Sequence, residues 1–330
     1  MRAYLKAGML MLFTAAFFPS QAQGPTPPRV GNPLGLPVTP PADGKFNPIS
    51  ANVKVYGSVY SAESCTYDPE RGVLVIPNRG VPPSIEVNNA WITLLNHDGS
   101  VHTSRWIGVQ AAGAQRDTLT PPLRLNEPYG SDLVNGVLYL ADREGGTNPN
   151  DPIISMVRRF NMKSGASLGD IKVADAGWFN DIAVATDGTI YGSVTGTNQV
   201  WRVMPNGQAS IFLQGELMSR PNGVAIDQQG QIVVVNVGND AVLTFSREGA
   251  LLRTEHTVQA GNDGIVLMPD GTKYISSVVN GGISRIRPGQ PAELIAENIP
   301  SAASMCYDSG ARQLVIPMNA NNAIALVKLP

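Results

Sequence analysis

The sequence contains few of the residues that most enzymes use for nucleophilic or zinc chemistry. Its 330 residues include only three histidines and two cysteines. These are too few for a disulfide-framework miniprotein, and they form no paired Cys/His zinc motif. Charged residues make up 15% of the chain, with 24 Lys plus Arg against 26 Asp plus Glu. This balance excludes a charged disordered tail and gives no indication of nucleic-acid binding or of attraction to an anionic membrane surface.

Long apolar runs are also absent, except for one near the N-terminus. Arg2 and Lys6 precede the 12-residue run Ala7–Phe18, and Pro19-Ser20-Gln21-Ala22, with a small-x-small cleavage site, follows it. This run is too short to cross a bilayer, which takes about 20 residues. The pattern is typical of a cleavable signal peptide over residues 1–22. We therefore expect a periplasmic or secreted protein that is not inserted in a membrane after cleavage.

The segment that follows, residues 23–51, is rich in proline. Eight of the 26 prolines of the chain lie between Gly24 and Pro48. Such a composition buries little apolar surface and favours an extended tether. We expect the folded part to begin near Asn52 and to continue to residue 330.

The rest of the chain has a repeating pattern of turns and short β-type runs. Each unit begins with a polar residue, continues with an apolar run and a turn ending in glycine, and is followed by further strands. Units three to five begin at Asn180, Asn222 and Asp263, which are 42 and 41 residues apart. The same frame places the start of unit one at Glu63 and that of unit six at Ala303, while a shortened unit two begins at Ser131 or Asp132. Unit one carries a long insertion near Ala111–Glu127.

A period of about 40–45 residues with four short strands is typical of a β-propeller blade. The sequence thus predicts an all-β, six-bladed propeller, with the N-terminal strand Val53–Tyr56 completing the last blade. A parallel β-helix and a two-domain sandwich are the alternatives. Cys65 and Cys306 fall in the first strands of units one and six and are either a disulfide or two buried thiols. Their different offsets from the unit starts suggest side chains that face opposite ways along a strand, which argues against the disulfide.

The innermost strands of a propeller line its axis, so the residues at the unit starts should converge there. Glu63, Asn180, Asn222 and Asp263 would bring carboxylate and amide oxygens together, which suits a hard divalent cation. Asn and Asp are also common turn residues, and turn chemistry alone would explain any one of them. It does not explain Glu63, so we favour a metal site. We expect Ca²⁺, with Mg²⁺, Mn²⁺ or Zn²⁺ as alternatives.

Four motifs in this order resemble those of the senescence-marker protein 30/gluconolactonase family, which includes regucalcin. They are Glu63–Pro69, Phe179-Asn180-Asp181, Arg220–Gly223 and Asn262-Asp263-Gly264. The resemblance implies a six-bladed propeller that holds one divalent metal on its axis and hydrolyses sugar lactones. It implies metal ligands at Glu63, Asn222 and Asp263, with Asp263 as general base and Asn180 contacting substrate or water.

One position departs from the family pattern. Gluconolactonase-type members have an arginine before the Phe-Asn-Asp motif, where this chain has Trp178. An indole in place of a cation favours a more apolar lactone or ester over a highly hydroxylated sugar lactone, unless Trp178 is only a packing residue. We expect Trp178, Asn180, Asp181 and Asp132 to contact the substrate.

No other catalytic arrangement competes with the metal site. His97, His102 and His256 do not occupy unit starts and are expected at the periphery, and there is no Gly-x-Ser-x-Gly elbow. The rival hypothesis is a non-catalytic propeller that binds a small ligand or a protein, with the metal structural or absent. The apolar Ala303 at one unit start and the missing arginine favour this alternative.

Overall fold

The computed structural model describes residues 52–57, 59–79, 90–108, 123–146 and 150–330. The predicted signal peptide (1–22), the predicted tether (23–51) and most of the insertion Ala111–Glu127 lie outside the described residues. Within the described residues, all regular structure is β-strand apart from the 3₁₀ turn Asn319–Asn321. None of these stretches forms a helix of the length and apolarity needed to cross a membrane.

The described strands form six antiparallel sheets of four strands each. The first of these strands, β1, belongs to the last sheet. In chain order the strands are β1 (Val53–Tyr56), β2 (Thr66–Asp68), β3 (Val73–Asn78), β4 (Trp91–Leu95), β5 (Val101–Gly108), β6 (Ser131–Val134), β7 (Val137–Glu144), β8 (Ile154–Asn161), β9 (Ser167–Val173), β10 (Ile182–Val184), β11 (Ile190–Val194), β12 (Gln199–Val203), β13 (Ala209–Gln214), β14 (Pro221–Ile226), β15 (Ile232–Asn236), β16 (Ala241–Phe245), β17 (Leu251–His256), β18 (Asn262–Leu267), β19 (Lys273–Ser277), β20 (Ile283–Ile286), β21 (Glu293–Ala296), β22 (Cys306–Asp308), β23 (Gln313–Met318) and β24 (Ala323–Lys328).

The six sheets form the blades of a closed ring. Blades 1 to 5 consist of β2–β5, β6–β9, β10–β13, β14–β17 and β18–β21, and blade 6 consists of β22–β24 with β1. The first strand of each blade contacts the first strand of the next, and β22 contacts β2. These six strands therefore line the axis, and the predicted six-bladed propeller is confirmed.

The N-terminal strand closes the ring as predicted. Residues Val53 to Tyr56 pair antiparallel with Val327 to Ile324 of β24. This pairing covers the edge of the last blade, which would otherwise expose unpaired backbone groups. At the same junction His97 of blade 1 hydrogen-bonds the buried Asp308 of blade 6, at 2.8 Å from Nδ1 to Oδ2.

The two cysteines form a disulfide between blades 1 and 6, with their Cα atoms 5.5 Å apart. Successive residues along a strand face opposite sides of the sheet, and in a propeller those two sides contact different neighbours. Met305 packs against blade 5, whereas the next residue, Cys306, packs with Cys65 between blades 6 and 1. The opposite orientations that the sequence suggests are therefore the reason the two sulfurs meet, and using them as an argument against the disulfide was wrong.

The first strands begin with a β-bulge that determines where the site residues point. In β14, Pro221 pairs with Asn236 and Val224 pairs with Val234, so the two residues between them occupy one place in the ladder. The same offset occurs in β18 and in the isolated bridges that precede β2 and β22. A bulge redirects side chains at the end of a strand.

Candidate functional site

The bulges place Glu63, Asn222, Asp263 and Ala303 at equivalent positions of four blades, as the repeat frame predicts. Asn180 occupies this position in blade 3, since Ser193 faces Asn180 and Asp181 together. In blade 2, however, Ala141 faces Tyr129 and Gly130, and Ser131 already pairs with Leu140. Unit two therefore starts at Tyr129, and the sequence frame at Ser131 or Asp132 was two or three residues late.

Asn222 and Asp263, on neighbouring blades, contact each other directly. Asn222 Nδ2 donates a hydrogen bond of 3.0 Å to Asp263 Oδ2. The two residues are 4% and 2% exposed, respectively. Their other side-chain oxygens, Asn222 Oδ1 and Asp263 Oδ1, are buried and have no hydrogen-bond partner. A buried acceptor without a partner costs about 1–3 kcal/mol, so this pair is poorly satisfied by the protein alone.

Glu63 contributes the second carboxylate of the site and is 4% exposed. Its Oε2 accepts a hydrogen bond of 2.5 Å from Asn319 Nδ2, which belongs to the 3₁₀ turn of blade 6. Arg79 Nη1 lies 3.7 Å from the same oxygen. Blades 1 and 6 together therefore hold the Glu63 side chain in place.

Glu63 and Asp263 interact electrostatically across the site. The pKa of Asp263 is raised well above its ordinary value, first by burial and then by the negative charges of Glu63 and Asp181. Arg79 and the hydrogen bond from Asn222 oppose this increase in the pKa only in part. Two carboxylates in such an environment favour either a proton or a cation between them.

The residues present fit a hard cation. Glu63, Asn222 and Asp263 offer carboxylate and amide oxygens, including two buried oxygens without partners. In the described part of the chain, no group of three or more His, Cys, Asp and Glu side chains is arranged to hold a metal. The predicted set is not of that kind, since it consists of two acids and an amide. Oxygen donors of this type suit Ca²⁺ or Mg²⁺ better than zinc.

Of the predicted substrate residues, Asn180 lies at a bulge position, whereas Asp181 and Asp132 contact the next blade. Asp181 Oδ2 accepts a 3.1 Å hydrogen bond from the backbone N–H of Val224, and Asp132 Oδ2 accepts one of 2.7 Å from Val184. Burial raises the pKa of Asp181 to about 7 and that of Asp132 to about 6. Both carboxylates thus link neighbouring blades, and their role in substrate binding remains a prediction.

Trp178 is part of a row of aromatic and cationic side chains between blades 1 and 3. Its ring lies edge-to-face with Tyr129 at 4.4 Å, and the Arg143 guanidinium lies 4.6 Å from its centroid. Arg143 is paired with Glu127 at 2.6 Å. The indole Nε1 of Trp178 is buried and has no acceptor. Trp178 is therefore both a packing residue and a donor that the protein leaves unused.

Beyond the bulges lies a cavity of about 1070 Å³. The later residues of the first strands line this cavity, including Cys65, Cys306, Asp132 and Asp181. Glu63, Asn222 and Asp263 are not among its lining residues. The axis therefore has two distinct ends, which we call the bulge end and the wide end.

The histidines lie away from the axis, as expected. His97 is at the junction of blades 1 and 6, while His102 and His256 are exposed on outer strands. Sequence reasoning missed Arg79, Tyr129 and Asn319. Arg79 and Asn319 directly follow the second strands β3 and β23. Because β2 and β3 are antiparallel, a frame drawn at the ends of the second strands would have found both residues.

The fold resembles several solved structures at low sequence identity. A gluconolactonase from Xanthomonas campestris has a TM-score of 0.57 at 16% identity, over 85% of this chain and 91% of that one. A virginiamycin B lyase from Staphylococcus aureus has a TM-score of 0.57 at 12% identity, over 84% and 99%. An auxiliary nutrient binding protein from Bacteroides thetaiotaomicron has a TM-score of 0.57 at 10% identity, over 82% and 69%.

These similarities establish the propeller fold and no more. No protein-family model matches the sequence, and no curated protein is similar to it. The gluconolactonase is of the family to which the four motifs pointed. The other two structures show that the same architecture occurs in proteins described as a lyase and as a binding protein.

Proposed function

We propose that this protein is a divalent-metal-dependent hydrolase that opens a lactone or a related ester at the bulge end of the axis. The observation that carries the proposal is the Asn222–Asp263 pair, whose two remaining oxygens are buried without a partner. A purely structural pair would be expected to satisfy these oxygens within the protein. Glu63, the second acid, interacts with Asp263 electrostatically and occupies the equivalent position of blade 1.

Glu63, Asn222 and Asp263 would hold the cation, with Ca²⁺ as the first candidate. When bound, the cation supplies positive charge that polarises the substrate carbonyl and stabilises the negative charge that develops on its oxygen. Asp263 would accept the proton of the attacking water and return it to the alcohol oxygen that leaves when the ester bond breaks. Asn180, whose backbone is fixed by hydrogen bonds to Ser193 and Gly130, orients the water or the substrate.

Trp178 favours a substrate with an apolar part. The ring lies edge-to-face with Tyr129 and has the Arg143 guanidinium near its centroid, so this position presents an apolar ring instead of the several donors of an arginine. A lactone with few hydroxyl groups fits such a surface better than a sugar lactone does.

Activity against a panel of aliphatic, aromatic and sugar lactones, with and without chelator, tests this proposal. We expect wild-type hydrolysis that chelator abolishes and Ca²⁺ or Mn²⁺ restores, and no hydrolysis by Asp263→Ala. Equal rates for wild type and Asp263→Ala, or no turnover by wild type across the panel, would reject the hydrolase. Circular dichroism of the variant shows whether the fold is retained.

Export to the periplasm or the medium is part of the proposal. It is supported by the signal-peptide pattern of residues 1–22 and by the Cys65–Cys306 disulfide, since stable disulfides are typical of oxidising compartments. Fractionation of cells that produce the full chain, with mass measurement of the mature N-terminus, tests it. A protein that stays in the cytoplasm with residues 1–22 attached would contradict export.

A non-catalytic binding protein is the second candidate, favoured by the cavity of about 1070 Å³ at the wide end. The volume is that of a small-molecule site. Ligand binding that persists in chelator and in Asp263→Ala would support this function. An elimination reaction is less well supported: the Staphylococcus aureus lyase is described as catalytically inactive after a histidine-to-alanine change, whereas the histidines here lie off the axis.

A further inference from the structure

We propose that Arg79 is an internal counter-cation of the metal site, which neutralises Glu63 in the metal-free protein and weakens the binding of the divalent ion. The inference rests on the proposed function, because it presupposes that Glu63, Asn222 and Asp263 hold a cation. In this proposal, Arg79 determines what fraction of the sites holds a metal ion at a given metal concentration.

The Arg79 guanidinium is fixed on three sides. Its Nε donates to the backbone oxygen of Ser61 at 2.9 Å, and its Nη2 donates to Ser61 Oγ at 2.7 Å. Its Nη1 donates to Tyr129 Oη at 2.6 Å, and its Cζ lies 4.8 Å from the centre of the Tyr129 ring. An arginine held in this way cannot move away when a cation enters the site.

The fixed guanidinium lies beside Glu63. Nη1 is 3.7 Å from Glu63 Oε2, and the two side chains are only 19% and 6% exposed. At that distance the interaction is an ion pair without a hydrogen bond, and the short hydrogen bond to the same oxygen comes from Asn319. The charge of Arg79 acts on Asp263 as well. Bulk water screens such partly buried charges poorly.

The charge balance follows directly. Glu63 and Asp263 together would match the +2 charge of a divalent ion, but Arg79 leaves the three side chains with a net charge of −1. A like charge at a site lowers its cation affinity, so removing it should tighten binding. Arg143 provides a matched control, because it lies in the same row of side chains but its charge is already paired with Glu127 at 2.6 Å.

The test is direct Mn²⁺ and Ca²⁺ binding, measured by calorimetry and by the free-Mn²⁺ electron paramagnetic resonance signal. We expect Arg79→Met, which keeps an apolar stem against Tyr129, to bind at least tenfold more tightly than wild type. Arg79→Lys, which keeps the charge, and Arg143→Met should stay within about threefold. Arg79→Gln, which keeps a donor for Ser61, replaces Arg79→Met if the latter does not fold.

The outcomes separate the two proposals. Unchanged or weaker binding by a folded Arg79→Met or Arg79→Gln would overturn the counter-cation and leave the metal site intact. Tight binding by Arg79→Met with none by wild type would support the counter-cation strongly. Absence of binding in wild type and both neutral variants would reject the metal site and this inference together.

Discussion

Both ends of the propeller axis contain aspartate side chains, but the hydrogen bonding of these carboxylates differs between the two ends. At the wide end, Asp132 and Asp181 accept hydrogen bonds from backbone N–H groups of the next blade. At the bulge end, Asp263 accepts a hydrogen bond from the side-chain amide of Asn222. Asn222 and Asp263 each have one buried side-chain oxygen without a partner. The comparison teaches that burial alone does not identify a functional carboxylate. What distinguishes Asp263 from Asp132 and Asp181 is a buried carboxylate oxygen that has no partner in the protein.

Local geometry accounts for the difference. The bulge inserts an extra residue at Asn222-Gly223 and at Asp263-Gly264, which turns the side chain of the first residue out of the regular ladder. After the bulge the strands are regular, and their residues face the neighbouring blades, where backbone N–H groups are within reach. An aspartate is therefore a ligand candidate at the first bulge position, as Asp263 is, and a link between blades at the second bulge position, as Asp181 is, or after the bulge, as Asp132 is.

Neutralising one carboxylate at each end tests most directly whether the two ends differ in function. We expect Asp263→Asn to lower kcat/KM for a lactone substrate by about 10²–10⁴-fold, the usual range for loss of a general base. Asp132→Asn should lower it by less than about threefold, because Asp132 acts on Val184 and does not line the bulge end. Steady-state kinetics of both variants measure this. Equal losses at the two ends would show that the distinction is wrong.

The disulfide lies at the wide end, so its loss should separate stability from catalysis. The bond joins positions 241 residues apart. We expect the Cys65→Ser/Cys306→Ser double variant to lose about 2–5 kcal/mol of unfolding free energy, as for other native disulfides. Under conditions where the variant is folded, its kcat and metal affinity should equal those of wild type. Urea unfolding and kinetics measure the two effects, and a parallel loss of kcat would link the wide end to the site.

Replacing a glycine of the bulge should lower stability and activity together, whereas loss of the disulfide should lower stability alone. A Cβ on Gly223 would collide with the backbone oxygen of Asp263. We expect Gly223→Ala to cost about 1–3 kcal/mol, as overpacking does, and also to lower activity because it displaces Asp263. Gly196→Ala is the matched control, since a Cβ there meets nothing within 4 Å. Urea unfolding and lactone kinetics compare the two; if Gly223→Ala changed stability without changing activity, the bulge would not position the site.

The propeller and the closure by β1 could be predicted because one blade is one repeat of the sequence, so period and strand content determine the architecture. The alignment of Glu63, Asn222 and Asp263 followed from the same period. Tyr129 was missed because its blade has an aromatic residue where the others have polar or small ones. Arg79 and Asn319 directly follow the second strands of their blades, whereas the frame was drawn at the starts of the first strands and so did not include them. The disulfide could not be settled without knowing that the two faces of a blade contact different neighbours.

The smallest expected effect concerns the pH dependence of stability at the wide end. Burial raises the pKa of Asp132 to about 6 in the folded protein, above its ordinary value of 3.8. The folded state therefore binds the Asp132 proton more tightly than the unfolded state does. The resulting stabilisation is complete below about pH 4 and is lost as the pH rises through about 6. Because Asp132 is partly exposed to the channel, we expect a change of only about 1 kcal/mol.

Asp132→Asn cannot titrate, so its unfolding free energy, measured in urea from pH 4 to 8, should decline less than that of wild type. Parallel curves for the two proteins would mean that the wide-end carboxylate is charged at no cost, and that both ends of the axis tolerate negative charge alike.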